Sequence, residues 1–261
     1  MPGSTLPNVR GPDDGTWAIL RRRIWMYPPE PPGRPDRTGR PGSCAVCRGP
    51  VRPGYARCYQ CAQHDLLGPA MLADAVAPIS YAVKGTAFAA ALWRYKAWRS
   101  PDPAARAWLL ALLLTFLHDH GRCVWRHAGM PAPGRLAVVP TGCGRPGPHP
   151  LLEMVGPYLR MPMTGLVMRP GEQGRDPNSN RFISERTRPG ASVLLLDDSW
   201  VSGASAQSAA AALKRAGARH VAVVVLGRHV DPADRLSAPL AARLAPRGYD
   251  PDSCAVHLAR P

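Results

Sequence analysis

The stretch VLLLDDSWVSGASAQSAAAALKRAGA, residues 193 to 218, decides the fold. Val193 to Leu196 is a continuous apolar run, as a strand buried on both faces requires. Asp197 and Asp198 follow at once, then a small-residue turn from Ser199 to Ser205 with Gly203 inside it. An alanine-rich helix comes next and ends at Gly217. This order sets two carboxylates at the carboxyl end of a strand, where open α/β sheets bind ligands. The turn offers backbone N–H groups and the positive end of a helix dipole to an anion. Acids beside such a turn suit a sugar phosphate, since carboxylates accept from sugar hydroxyls while the turn holds the phosphate. The same residues also fit a plain strand–loop–helix whose acids cap the helix.

Strands and helices alternate outward from this stretch. Leu136 to Val139 reads as a buried strand, LLEMVGPYLR (151–160) as a helix, GLVMRP (165–170) and RFISER (181–186) as short strands, and HVAVVVLGRHV (220–230) as another buried strand. Residues 79–98 read as a short strand and an amphipathic helix. Residues 104–120 read as a helix apolar nearly all round, hence buried, stopped by Gly121. The alternation over 130–230 predicts an α/β fold with a mostly parallel sheet and right-handed crossovers. This domain is placed at 73–230, with a weakly structured tail at 231–261 carrying one short helix near Pro239 to Leu244. Residues 1–42 read as a flexible Pro/Arg-rich segment; within them Trp17 to Tyr27 is an apolar patch, helix or strand, and PPEPPGRPDRTGRPG (28–42) cannot build a helix or central strand.

Residues 43–66 hold two Cys-x-x-Cys knuckles, Cys44/Cys47 and Cys58/Cys61, with ten residues between them. Four thiolates so spaced can close tetrahedrally around zinc, which makes a structural ribbon with no open position. A redox pair and unrelated thiols are the alternatives, and His64 is a candidate to replace one cysteine. Cys123, Cys143 and Cys254 lack a partner motif and are expected to be small buried hydrophobes.

The chain has 261 residues, a formal net charge of +15, 31 prolines and 25 glycines. The charge suits anionic partners, nucleic acid among them, or a solvated arginine surface. No apolar run approaches the roughly 20 residues of a membrane span, and no secretory signal is read, so a cytoplasmic protein without disulfides is expected.

At VLLLDDSWVSGAS, 193 to 205, the chain resembles the type I phosphoribosyltransferases. Their signature is four apolar residues, two acids, an apolar residue, any residue, Thr-Thr-Gly, any residue and Thr. Ser202 and Ser205 keep a hydroxyl where threonine stands; Val201 and Ser199 depart from the pattern. The resemblance implies a sheet of the type I phosphoribosyltransferase kind. It also implies that Asp197 and Asp198 bind the ribose of phosphoribosyl pyrophosphate, and that Val201, Ser202, Gly203, Ala204 and Ser205 hold its 5′-phosphate. Such a transferase must also hold the leaving pyrophosphate with a cation and Mg²⁺. By resemblance Thr141, Gly142, Cys143, Gly144 and Arg145 form that loop, with Arg145 catalytic alongside the two acids. His149 reads as a base or as a helix-opening residue, Lys84 as a phosphate contact or a surface lysine, and Arg181 as a contact to pyrophosphate or base.

Over residues 43–230 the order of parts resembles the ComF-type, amidophosphoribosyltransferase-like proteins: a four-cysteine ribbon, the SYAVKG stretch with a Tyr95-Lys96 pair packed on the core, VVPTGCGRPGPHPL and the signature helix. GRPGPHPLLE stands where many of them carry Arg-Gly-Phe-Asn-Gln. Two function classes follow from the resemblance. One is transfer of a phosphoribosyl group to or from a nitrogen nucleophile or nucleobase. The other is a non-catalytic phosphoribosyl sensor, or a DNA-uptake-associated protein that binds nucleic acid. The ligand is phosphoribosyl pyrophosphate or a nucleotide in either class, with Mg²⁺ beside it and structural Zn²⁺ in the ribbon.

Overall fold

The structure is a computed structural model that describes residues 14–26, 42–141, 148–172, 174, 176–244, 248–252 and 254–256. In chain order the elements are α1 (Asp14–Met26), α2 (Tyr59–Gln63), β1 (Ala75–Val83), α3 (Ala87–Arg94), α4 (Pro103–His127), β2 (Arg135–Val138), α5 (Pro150–Val155), β3 (Leu166–Met168), β4 (Phe182–Ser184), β5 (Ala191–Trp200), α6 (Ala204–Arg215), β6 (Ala218–Val230) and α7 (Ala238–Leu244). Four strands form one sheet in the order β1-β6-β5-β2, every pair parallel. The short strands β3 and β4 pair antiparallel as a separate hairpin. The α/β class and the mostly parallel sheet stand as read.

Alternation along β5 builds two layers. Leu194 and Leu196 join the layer of α4, while Val193 and Leu195 face Ala206, Ala209 and Ala210 of α6. The alanines of α6 are all buried, and their small side chains let the helix lie close to the sheet. Asp102 caps α4 by accepting from the backbone N–H groups of Ala104 and Ala105 at 2.9 and 3.1 Å, with Pro103 next in the helix.

Several boundaries differ from the sequence reading. Helix α4 runs through Gly121 to His127, because Val124 and Trp125 are still buried against the layer. It ends in a Schellman arrangement at Gly129, φ +61°, with the Met130 N–H on the Trp125 carbonyl at 3.0 Å and that of Gly129 on Arg126 at 3.1 Å. Strand β5 continues past Leu196, so both acids lie within the sheet, Asp197 opposite Val225 of β6. Within the segment expected to be flexible, residues 14–26 are helical and docked: Trp17 and Ile24 are buried, and the Trp108 indole donates to the Ile24 carbonyl at 3.3 Å. The tail also packs inward, through Tyr249, Cys254, Ala255 and Val256. Among the described residues no helix is long and apolar enough to cross a membrane.

Candidate functional site

Neighbouring strands β2 and β5 send their chains to opposite faces of the sheet. After β2 the chain enters α5, whose Leu151, Met154 and Val155 pack in the α4 layer; after β5 it enters α6 on the other side. That divergence is a topological switch point, and it opens a crevice at the carboxyl ends of the two strands. A cavity of about 360 Å³ lies at the exit of β2, lined by Val138, Thr141, His149 and Met163 among others and by no residue of β5 or its turn. A larger one, about 500 Å³, sits at the far end of α6 around Arg169, Arg186 and Arg215, away from the acids.

The two acids have different surroundings. Asp198 is buried in the α4 layer, where the Tyr95 hydroxyl and the Lys96 ammonium donate to its Oδ2 at 2.6 and 2.8 Å. Burial opposes its charge, but the Lys96 ammonium and the hydrogen bonds from Lys96 and Tyr95 hold it below the ordinary carboxylate range. Asp197 is half-buried on the opposite face and accepts the Asp198 N–H at 2.9 Å. Its pKa is pushed up to about 7, by burial first and then by the charge of Asp198. The sequence treats the acids as equals, whereas in the structure one is hydrogen-bonded to a cation and the other, half-buried, accepts only from backbone. The residues that make this difference, Tyr95 and Lys96, stand a hundred positions earlier in the chain. The sequence marked them as a motif but not as partners of an acid.

The turn after β5 brings Val201 to Ser205 to the N-terminus of α6. Gly203 has φ +84°, a left-handed conformation that glycine adopts without cost. A Cβ there would also lie 2.1 Å from the Trp200 ring, so the residue has two reasons to be glycine. Ser202 Oγ accepts from the Ala204 N–H at 3.3 Å, and Val201 is 61% exposed. Arg181, buried at the end of the loop between β3 and β4, donates to Ser205 Oγ at 3.3 Å and to the Asp176 carbonyl. A guanidinium therefore stands beside the helix N-terminus.

Across the crevice, Thr141 is half-buried at the exit of β2; Gly142, Cys143, Gly144 and Arg145 lie outside the described residues. His149 caps α5, its Nδ1 accepting the Leu151 N–H at 3.0 Å, which is the helix-opening role. Lys84 is an exposed surface lysine paired with Asp231 at 3.1 Å.

Behind the α6 face, the sulfurs of Cys44, Cys47, Cys58 and Cys61 lie within 4.8 Å of one another, all buried. The Cys47 and Cys58 sulfurs are 3.7 Å apart, near the edge of a tetrahedron drawn with zinc–sulfur bonds of about 2.3 Å. Two buried guanidiniums flank them. Arg228 of β6 donates to Cys47 Sγ at 3.4 Å and to the Trp200 carbonyl at 3.2 Å. Arg48, at φ +61°, donates to the carbonyls of Cys44 and Ala255 at 3.2 and 3.0 Å. A Cβ on Gly49 would meet the Arg228 guanidinium at 2.3 Å, so glycine at 49 is what admits that arginine. Four thiolates on a divalent ion carry two net negative charges, which these two guanidiniums match, so the residues fit a zinc ion. His64 stays outside the cluster, its ring edge-on to Trp200 at a centroid distance of 5.9 Å.

No protein-family model and no curated protein matches the chain. Among solved structures it is similar to an orotate phosphoribosyltransferase from Aeropyrum pernix, over 55% of this chain and 68% of that one, at 21% identity and a TM-score of 0.33. It is also similar to a purine phosphoribosyltransferase from Pyrococcus horikoshii, over 44% of this chain and 88% of that one, at 13% identity and a TM-score of 0.26.

Proposed function

We propose that the crevice binds phosphoribosyl pyrophosphate with Mg²⁺ and that the protein transfers the phosphoribosyl group to or from a nitrogen nucleophile. The observation that carries this reading is the unequal acid pair beside the Gly203 turn at a sheet switch point. Asp197 accepts from the ribose hydroxyls. The N–H groups of the turn, with Ser202, Ser205 and Arg181, hold the 5′-phosphate. Breaking the glycosidic bond leaves positive charge on the ribose. The Asp198 carboxylate, kept ionised by Lys96 and Tyr95, supports that charge by fixed electrostatics rather than by proton transfer. Mg²⁺, when bound with the ligand, neutralises pyrophosphate charge; Arg145 is assigned to the leaving group. The four cysteines hold a structural zinc ion.

Calorimetry with phosphoribosyl pyrophosphate tests the ligand, and the expected result is binding strengthened by Mg²⁺. No binding at millimolar ligand overturns the reading. Phosphorus NMR with a panel of bases tests the transfer, and pyrophosphate release is expected. Val201, exposed where the signature has a hydroxyl, favours a second reading: a sensor that binds the ligand and releases no pyrophosphate with any base.

A further inference from the structure

We propose that His120, Cys123 and Cys254 form a second metal site, taking a borderline transition ion of the zinc type, which ties the C-terminal segment to α4. Their ligand atoms lie within 4.8 Å of one another. His120 and Cys123, three residues apart on α4, project from the same helix face. Cys254 comes from the tail. His120 and Cys254 are 5% and 6% exposed, and Cys123 is half-buried.

The histidine is oriented as a ligand. Its Nε2 lies 2.6 Å from the Pro251 carbonyl. A carbonyl can only accept, so Nε2 carries a proton, and in the neutral ring that metal binding requires the lone pair is on Nδ1. A ring nitrogen anchored on a backbone carbonyl is the usual second contact of a metal-binding histidine. Two thiolates and one neutral imidazole give a complex with no net charge around a divalent ion. Such a complex is buried without a counter-ion, unlike the four-cysteine cluster with its two arginines. Three protein ligands leave a fourth position for solvent, which the half-buried Cys123 side can supply.

The site also has a structural consequence. Ala255, next to Cys254, is the residue whose carbonyl receives Arg48 at 3.0 Å. Fixing Cys254 on α4 therefore places the carbonyl that holds an arginine of the first cluster.

The test is elemental analysis and zinc-edge X-ray absorption on the full chain, purified under reductant without chelator. The expected content is about two zinc per chain, with a mean shell of about three sulfurs and one nitrogen or oxygen. Cys254→Ser and His120→Ala should each remove about one zinc and return the shell to sulfur alone. A wild-type shell of four sulfurs overturns the proposal, whether or not the variants fold. Zinc content unmoved by both variants overturns it too, as does a Cys123–Cys254 disulfide in protein kept under reductant.

Discussion

Against the α6 face of the sheet four cysteines are flanked by two guanidiniums; at the end of β5 two adjacent carboxylates have one ammonium and one phenol between them, both on Asp198. Both regions gather negative charge in poorly hydrated places, and they balance it to different degrees. Around a zinc-bound cluster the charges cancel, and every polar partner comes from the protein. At the acid pair the compensation stops at Asp198. Asp197 keeps a raised pKa and is only half-buried. A balanced buried centre is a structural element, whereas an unbalanced one at a crevice holds capacity for a ligand.

Stripping the metal should give the largest effect, because binding to a closed four-thiolate site is coupled to folding at about 10–16 kcal/mol. Without zinc, neutral thiols would leave Arg48 and Arg228 buried without matching anions. Chelator or Cys47→Ser is expected to unfold residues 42–67 and lower the melting temperature more than any change at the acid pair. Zinc content and thermal melts followed together measure it; a metal-free chain melting like the holo form would break the comparison.

Arg228→Met comes next. It keeps the stem volume but leaves the cluster one charge short, and breaking a buried charge pairing costs about 3–5 kcal/mol. Urea denaturation should show that loss with the zinc still bound. If Arg228→Met is neutral, the guanidinium is packing and not charge balance.

Lys96→Met removes the cation at Asp198. The Lys96 side chain is 27% exposed, so the expected cost is smaller, about 1–3 kcal/mol. Asp198 is held below the ordinary carboxylate range, so its contribution to stability is present above that range and disappears as pH falls through the lowered value. The gap between wild type and Lys96→Met should therefore be widest near neutral pH and close in acid. Lys96→Arg should recover part of it.

The two regions were not equally legible in the sequence. The knuckles and the signature are local patterns, so the cysteine cluster and the β5–α6 turn could be placed from spacing alone. Their compensating charges could not. Arg228, Tyr95 and Lys96 reach their partners through sheet pairing and helix docking, contacts with no fixed spacing along the chain; Arg48 sits next to Cys47, and only its bond to the Ala255 carbonyl is long-range. For the same reason Gly203 was legible as a turn glycine but not as a neighbour of the Trp200 ring. A branched residue there would test packing before phosphate binding, so Gly203 is a poor probe of the ligand. Gly121 misled because tertiary packing of Val124 and Trp125 outweighs the roughly 1 kcal/mol that a mid-helix glycine costs. The docking of α1 was hidden because Arg21-Arg22-Arg23 interrupts its apolar residues and no clean apolar stripe shows, yet Trp17 and Ile24 are buried in the layer of α4.

Asp197→Asn should give no change in stability in acid and the most informative one in base, because its two effects have opposite signs. The Asp197 pKa is raised to about 7, so the folded state holds that proton more tightly than the unfolded chain does. Stability from this group is fully present below the ordinary carboxylate pKa, about 4, and is lost as pH rises through about 7. At pH 8 the carboxylate is ionised and costs folding, since burial and Asp198 both oppose its charge. Asparagine cannot ionise, so the variant should be more stable than wild type at pH 8 and equal to it near pH 4. Binding should move the other way. Losing a charged acceptor for ribose hydroxyls weakens phosphoribosyl pyrophosphate by about 1.5–3 kcal/mol. Denaturation at the two pH values and calorimetry on the same preparations measure both. Gain of stability with loss of binding is what an acid kept for a ligand predicts; loss of both would make Asp197 a structural residue and remove the contrast with the cysteine cluster.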